Sequence, residues 1–250
     1  MAISQADEDS AALASAQSAT DRAYSTILRN TLTGKYRAGE RLTESRLTAD
    51  LGLSRIPVRE ALKRLALDGV IDLHRHRGAT IRVTTRRDIA EFFQVRSMLE
   101  SNSAAAAAGR IREPSCDAER GRLIDHMLRL QEWTAAPESC GKEEYAKHNH
   151  QFHQLIIDLG GNQLVVKFWD SLQLPVQRLS FFQRYRLADL KASMNDHFRI
   201  AESILAGDSR AAERYAREHS NRVAAAVHGL PDHEFNLVLN PGLISSPGDM

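Results

Sequence analysis

The chain has two groups of residues whose types and spacing could do chemistry, and the first is cationic. Arg55, Arg59 and Lys63 stand four residues apart in the run RIPVREALKRL. In a helix this interval places the three side chains on one face, while the apolar residues between them form a separate core-facing stripe. Such a cationic face is either a solvated surface or a surface that binds DNA, where guanidinium groups match guanine O6 and N7 in the major groove.

The second group could bind a metal ion, and it comprises Asn149, His153, His197 and His219. Each histidine lies among apolar residues at helical spacing, so each is expected to face a protein interior. A single histidine on an apolar face is usually a hydrogen-bonded core residue. Three on three helices, with an amide oxygen one turn from the first, favour a divalent metal site of the Zn, Ni or Mn type. His148 and His150 point to other faces and are expected to be exposed.

Two arginines are candidates to bind an anionic ligand beside that site. Arg96, in EFFQVRSMLES, shares a helical stripe with aromatic residues. It either forms a salt bridge with Glu100 at the i, i+4 spacing, worth a few tenths of a kcal/mol, or anchors a carboxylate that faces the metal. Arg178 is the second candidate.

The elements that position the cationic group are three helices and a hairpin. Pro57 fits the first turn of the third helix, where its missing amide proton costs no hydrogen bond. After this helix, Ile71 and Leu73 alternate, a turn follows over 75–78, and Ile81 and Val83 alternate again, which predicts a β-hairpin. The predicted helices open near Tyr24, at Thr43 and at Ser54, and close at Gly34, Gly52 and Gly69.

The histidines lie in a region with helical patterns only. Breaks at glycine and proline residues divide it into six predicted helices, at 88–109, 115–134, 141–159, 162–184, 188–206 and 209–228. Pro175 is expected to kink the fourth. Residues 1–19 and 230–250 are expected to form a disordered and an irregular tail, leaving one domain at 20–86 and a second at 87–229.

The charge distribution separates these two domains. The whole chain carries a net charge of +1, but Thr20–Arg86 contains 14 Lys and Arg against 7 Asp and Glu. A basic first domain on an otherwise acidic chain indicates a polyanion-binding module. Cys116 and Cys140 have neither disulfide nor metal spacing, and MAISQADEDS lacks the apolar core of a signal peptide. We therefore expect a cytoplasmic protein.

The basic domain resembles the winged helix-turn-helix of the GntR family of bacterial transcription regulators. The resemblance lies in GKYRAGERLTESRLTADLGLSRIPVREALKRLALDGVI and in the wing RHRGATIRV. It implies that Arg55 and Arg59 contact bases or phosphates, that Ser54 caps the recognition helix, and that Arg77 and Gly78 form the wing tip. Some relatives place a DNA-contacting arginine at the position of Ser45.

The helical domain is similar to the FCD effector domain of the FadR-like branch, and its six helices resemble the VanR-type variant. That domain carries Asp-x3-His followed by two more histidines, so the resemblance implies a metal site at Asn149, His153, His197 and His219. Asn149 stands where the family has Asp, which leaves four neutral ligands. Such a site is weaker for a hard ion and more attractive to an anion.

The predicted fold is therefore mainly α, with a winged helix-turn-helix followed by an all-α antiparallel helical bundle. The predicted function is a homodimeric repressor that a small carboxylate releases from a palindromic operator, with Thr84–Asp88 transmitting the signal. Two alternatives are a constitutive DNA-binding protein and a metal-dependent enzyme that activates water at the histidines. Against the enzyme, the sequence offers no obvious general base one turn from them.

Overall fold

The computed structural model describes residues 18–74, 78–136, 139–172 and 187–243. The chain forms two compact units. Among the described residues, the chain passes from one unit to the other between Thr84 and Thr85 and again between Pro231 and Asp232. In chain order the described helices and strands are α1 (18–32), β1 (Arg41–Leu42), α2 (Glu44–Leu51), α3 (Arg55–Leu67), β2 (Ile71–His74), β3 (Gly78–Ile81), α4 (Arg86–Arg110), α5 (Asp117–Ala135), α6 (Lys142–Leu159), α7 (Gln163–Ser171), α8 (Leu187–Ala206), α9 (Ser209–His228) and α10 (Asp232–Leu239).

In the first unit, helix α2 begins and ends where its local sequence dictates. The Thr43 side chain accepts a hydrogen bond from the Arg46 amide and so caps α2. Gly52 closes α2 in the left-handed conformation, with φ of 63°, a conformation that favours glycine. The apolar stripe of α3 then packs into the core of this unit, which includes Ile27, Leu47, Leu62, Leu65, Ile71 and Ile81.

The sheet has one strand more than the predicted hairpin. β2 and β3 pair antiparallel as expected, and the two-residue β1 joins the other edge of β3, with Leu42 opposite Ala79. Gly78 permits this arrangement, because its φ is 84° and a Cβ there would lie 2.3 Å from the Leu42 carbonyl oxygen. Two residues are too few to produce a detectable alternation, which is why the sequence pattern did not reveal β1.

The second unit is a bundle of helices α4–α9, as predicted. Thr85 and Asp88 form a reciprocal capping box that starts α4. Small residues such as Ala104 and Ala108 let α4 pack along α9, and the shared core includes Phe152 and Ile204. The predicted helix 162–184 is shorter within the described residues, because α7 ends at Ser171. Pro175 and its predicted kink lie outside the described residues.

The described residues cover only part of the two predicted tails, at 1–19 and 230–250. Residues 1–17 lie outside the described residues, but α1 already includes residues 18–19 of the predicted tail. The irregular tail predicted over 230–250 is wrong for its first part, because Asp232–Leu239 form α10. Phe235, Val238 and Leu239 are buried at helical spacing, a pattern that the surrounding prolines obscured.

Asn240, directly after α10, is almost fully buried in the first unit. Its Oδ1 accepts a hydrogen bond from the Thr84 amide at 2.7 Å, and its Nδ2 donates to the Thr84 carbonyl at 3.0 Å. One side chain thus satisfies both backbone groups of the residue at which the chain leaves this unit.

Candidate functional site

The cationic residues lie where their spacing predicts. Arg55, Arg59 and Lys63 are all exposed on α3, while Leu62 and Leu65 on another face of the helix are buried. The helix therefore has one face that holds it in the unit and one face of three cations that is accessible to a polyanion.

Arg59 is already paired with a carboxylate that the sequence pattern did not single out for it. Its Nε donates to Glu44 Oε1 at 2.9 Å and its Nη2 donates to Glu44 Oε2 at 2.8 Å. These hydrogen bonds lower the pKa of the Glu44 carboxyl below its usual value. Lys63 similarly donates to Glu60 at 2.8 Å. Exposed ion pairs of this kind are weak, so neither pair prevents these cations from binding a polyanion.

The remaining DNA-binding candidates have mixed outcomes. Ser54 occupies the N-cap position of α3, but its side chain makes no capping hydrogen bond, so the predicted cap is wrong in that respect. The Ser54 side chain is exposed. Pro57 is buried in the first turn of α3. Gly78 begins β3 and has the structural role described above. Arg77 lies outside the described residues.

Three of the predicted metal ligands converge in the second unit. His153 on α6, His197 on α8 and His219 on α9 are all buried, and each offers a nitrogen within 4.8 Å of the other two. The Nε2 atoms of His197 and His219 are 3.2 Å apart. Asn149 is also buried, one helical turn before His153.

Two carboxylates stand behind these histidines, and sequence reasoning missed both as partners of the imidazoles. Glu100 Oε1 lies 2.6 Å from His153 Nδ1, and Asp196 Oδ2 lies 3.2 Å from His219 Nδ1. The only sequence signals were the position of Asp196 beside His197 and the i, i+4 spacing of Glu100 from Arg96.

The charges at the cluster follow from burial and from the arginines. Burial raises the pKa of the Glu100 carboxyl, but the Arg96 guanidinium outweighs this effect and holds that pKa well below its usual value. Burial lowers the pKa of His153 to about 4 and that of His197 well below its ordinary value. At neutral pH an ionised Glu100 therefore lies beside neutral His153 and His197, and the neutral form of histidine is the one that binds a metal.

The donor set fits a divalent ion. Neutral imidazoles are ordinary ligands of Zn, Ni and Mn. His197 Nδ1 is buried and has no hydrogen-bond partner among the described residues, and an orphaned buried nitrogen normally has an explanation such as a bound ion or water.

Arg96 forms the salt bridge with Glu100 that its i, i+4 spacing allows, but both side chains are largely buried instead of lying on the surface. Its Nε and Nη2 donate to Glu100 Oε1 at 3.0 and 2.8 Å, and its side chain is 21% exposed against 4% for Glu100. Its guanidinium carbon also lies 4.9 Å from the centroid of the Trp169 ring. Arg96 thus has hydrogen-bonding capacity left beside the cluster. Arg178 lies outside the described residues.

The expectation that His148 is exposed is wrong. Its ring stacks on that of His126 with centroids 3.4 Å apart, and both of its nitrogens are buried without a hydrogen-bond partner among the described residues. Burial lowers the pKa of His126 to about 2 and that of His148 to about 4. His126 belongs to α5, and its ring also stacks on Phe152, which in turn stacks on His197.

A winged helix-turn-helix with an exposed cationic recognition helix, followed by a helical domain, defines a DNA-binding transcriptional regulator. The family model described as bacterial regulatory proteins, gntR family, matches residues 19–81, and the model described as FCD domain matches residues 91–222. The chain belongs to the GntR family, in the group with an FCD domain. Because the members of this family are transcriptional regulators, a metal-dependent enzyme is excluded.

Individual relatives agree with this assignment. The Nta operon transcriptional regulator of Aminobacter aminovorans is 29% identical over 68% of this chain and 76% of its own length. The gluconate operon transcriptional repressor of Bacillus licheniformis is 27% identical over 69% of this chain and 67% of its own. The solved structure of McbR/YncC from E. coli has the same fold, with a TM-score of 0.62, 19% identity and coverage of 83% of this chain and 96% of that one. Among the described residues, no helix is long and apolar enough to cross a membrane.

Proposed function

We propose that this regulator is a homodimeric repressor that a small carboxylate releases from a palindromic operator. The observation that carries the proposal is the buried cluster of His153, His197 and His219 beside Arg96, in a protein whose other unit presents a cationic recognition helix. This cluster belongs to the unit that does not contain the recognition helix, which favours a second ligand that regulates DNA binding.

The DNA contacts in this proposal come from the α3 face and the wing. Arg55 and Arg59 contact bases or phosphates, and Lys63 contacts phosphates. The exposed Ser54 hydroxyl, at the start of α3, donates a hydrogen bond to the DNA backbone. Pro57 fixes the first turn of this helix, and Arg77 and Gly78 place the wing against the adjoining groove. Because phosphate contacts release counterions, operator affinity falls steeply as salt rises.

The effector site combines the metal ligands with an arginine. Asn149, His153, His197 and His219 would hold a Zn, Ni or Mn ion, which supplies a positive charge that attracts an anionic ligand. Arg96 binds the other end of the carboxylate, since a guanidinium forms paired hydrogen bonds with two carboxylate oxygens, and Arg178 is a second candidate for that role. The gluconate operon repressor is named for an operon of a sugar acid, which supports an acid as the effector class.

Within the described residues, the effector signal can reach the DNA-binding unit through the two points at which the chain passes between the units. α4 carries Arg96 and Glu100 and begins at Arg86, directly after its N-cap Thr85 at the first crossing. α9 carries His219 and ends just before the second crossing, where Arg86 donates a hydrogen bond to the Leu230 carbonyl at 2.6 Å. An effector changes operator affinity by binding one arrangement of these helices better than the other, with Thr84–Asp88 as the transmitting segment.

Operator affinity tests this proposal directly. The probe is a fluorescent duplex that the protein itself selects from a random DNA library, and the readout is anisotropy across a panel of organic and sugar acids. We expect at least one acid to weaken binding of Zn-loaded protein by 5- to 150-fold, the range of a typical allosteric coupling, and chelator-treated protein to lose the response. A protein that binds the duplex equally with every acid is a constitutive DNA-binding protein and contradicts the proposal.

A further inference from the structure

The two carboxylates behind the histidine cluster occupy equivalent positions on different ligands. Glu100 lies against Nδ1 of His153, and Asp196 lies against Nδ1 of His219. In both cases the contact is made by the same ring nitrogen, so the Nε2 atoms of the two rings are left for another partner. This arrangement is typical of histidines that bind a metal through Nε2, with a carboxylate fixing the ring from behind.

Both carboxylates are themselves held in place by donors. Glu100 Oε1 accepts from Arg96, and its Oε2 accepts the Ser220 hydroxyl proton at 2.7 Å in a buried setting. Asp196 Oδ2 accepts from Nε of Arg222 at 2.8 Å. With both oxygens engaged, Glu100 is placed to orient His153 rather than to bind an ion directly. Each carboxylate is thus fixed before any ion arrives.

The contacts with the carboxylates favour one tautomer of each ring. A carboxylate oxygen accepts a hydrogen bond, so Glu100 favours a proton on Nδ1 of His153 and Asp196 favours a proton on Nδ1 of His219. In a neutral ring that carries its proton on Nδ1, Nε2 holds the lone pair that binds a metal.

We propose that Glu100 and Asp196 are positioning residues for the metal site, which fix the tautomer and orientation of His153 and His219 and give a set of neutral ligands its negative charge. This inference rests on the metal site of the proposed function. An amide and three imidazoles contribute no charge of their own, whereas a carboxylate bound to Nδ1 makes the opposite nitrogen a stronger donor. The two acids thus take over part of the role that a directly bound carboxylate has in a charged site.

Metal affinity and ring tautomers together test this inference. Zn²⁺ affinity is measured by competition with a chromophoric chelator for wild type, Glu100→Gln and Asp196→Asn, which keep the side-chain shapes but remove the charges. Each variant is expected to bind Zn²⁺ about 10- to 100-fold more weakly. Glu213→Gln is the control, because Glu213 is an exposed acid on α9 that pairs only with Arg217 among its described contacts, and wild-type affinity is expected.

The tautomers need no variant and no metal. Long-range ¹H–¹⁵N spectra of the histidine rings in metal-free wild type are expected to show protonated Nδ1 at His153 and His219, and finding the Nε2–H form at either ring overturns the assignment. Variants that bind Zn²⁺ as tightly as wild type overturn the inference alone. Wild type that binds no Zn²⁺ overturns the metal site of the proposed function and the inference with it.

Discussion

Acidification should destabilise the second unit of the metal-free protein between pH 7.5 and 5.5. Burial lowers the pKa of His126 to about 2 and those of His148 and His153 to about 4, whereas an unfolded histidine titrates near 6.5. As pH falls through about 6.5, the unfolded chain gains protons that the folded chain refuses. The free energy of unfolding therefore falls, and above that pH these groups have no effect.

The magnitude follows from linkage. Well below pH 6.5 each such histidine costs about 1.4 kcal/mol of stability for each pH unit, so at pH 5.5 each costs about 1.3 kcal/mol relative to pH 7.5. The three together cost roughly 4 kcal/mol, a large share of the 5–15 kcal/mol typical of a domain. His197, whose pKa also lies well below its usual value, adds to this loss. Glu100 and Asp196 have lowered pKa values, and their contribution is lost only below about pH 4.5, outside this window.

Urea unfolding followed by tryptophan fluorescence measures this loss, because Trp133 and Trp169 both belong to the second unit. His148→Gln removes one of these groups and should reduce the loss by about 1.3 kcal/mol. His228→Gln, at an exposed position on α9, is the control and should match wild type. A wild-type protein equally stable at pH 7.5 and 5.5 would refute the reasoning, since these rings could not then be both buried and neutral.

Three substitutions test other parts of the account. Arg59→Ala should weaken operator binding by about 1–3 kcal/mol in fluorescence anisotropy. Arg64→Ala is the control, because Arg64 lies on the same helix but pairs with Asp21. If the Arg59→Ala variant binds the operator as tightly as wild type, Arg59 makes no such contact. Asn240→Ala deprives the Thr84 backbone of two hydrogen bonds and should lower the free energy of unfolding in urea by about 2–4 kcal/mol. An unchanged free energy of unfolding would argue against this role of Asn240. Asn149→Asp should tighten Zn²⁺ binding about tenfold or more by adding a charged ligand, and unchanged affinity in chelator competition removes Asn149 from the site.

Local sequence patterns predicted the features that depend on local interactions. The spacing of Arg55, Arg59 and Lys63 correctly predicted a shared exposed face, because side-chain direction in a helix is set by sequence separation. Thr43 caps the start of α2 and Gly52 caps its end, as expected, because capping involves only the neighbouring backbone.

The features that the sequence patterns did not predict depend on tertiary contacts. That His153, His197 and His219 are buried follows from their apolar stripes, but which acid lies behind which ring depends on how α4, α8 and α9 pack. His148 was expected to be exposed because it lies off the main stripe of α6, and α5 covers that second face with His126. Glu44 and Arg59 stand 15 residues apart, so no helical interval connects them.

Release of the protein from its operator by an acid bound at Arg96 is tested most directly by operator affinity with and without the acid identified in the panel. The measurement compares Zn-loaded wild type, Arg96→Ala and Arg214→Ala. Arg214 is the matched control, since it forms an i, i+4 pair on the surface of the same unit. All three proteins are expected to bind the operator equally without the acid. Wild type and Arg214→Ala should then lose affinity by 5- to 150-fold when the acid is added, and Arg96→Ala should not respond. An Arg96→Ala protein that is released by the same acid at the same concentration would contradict the account.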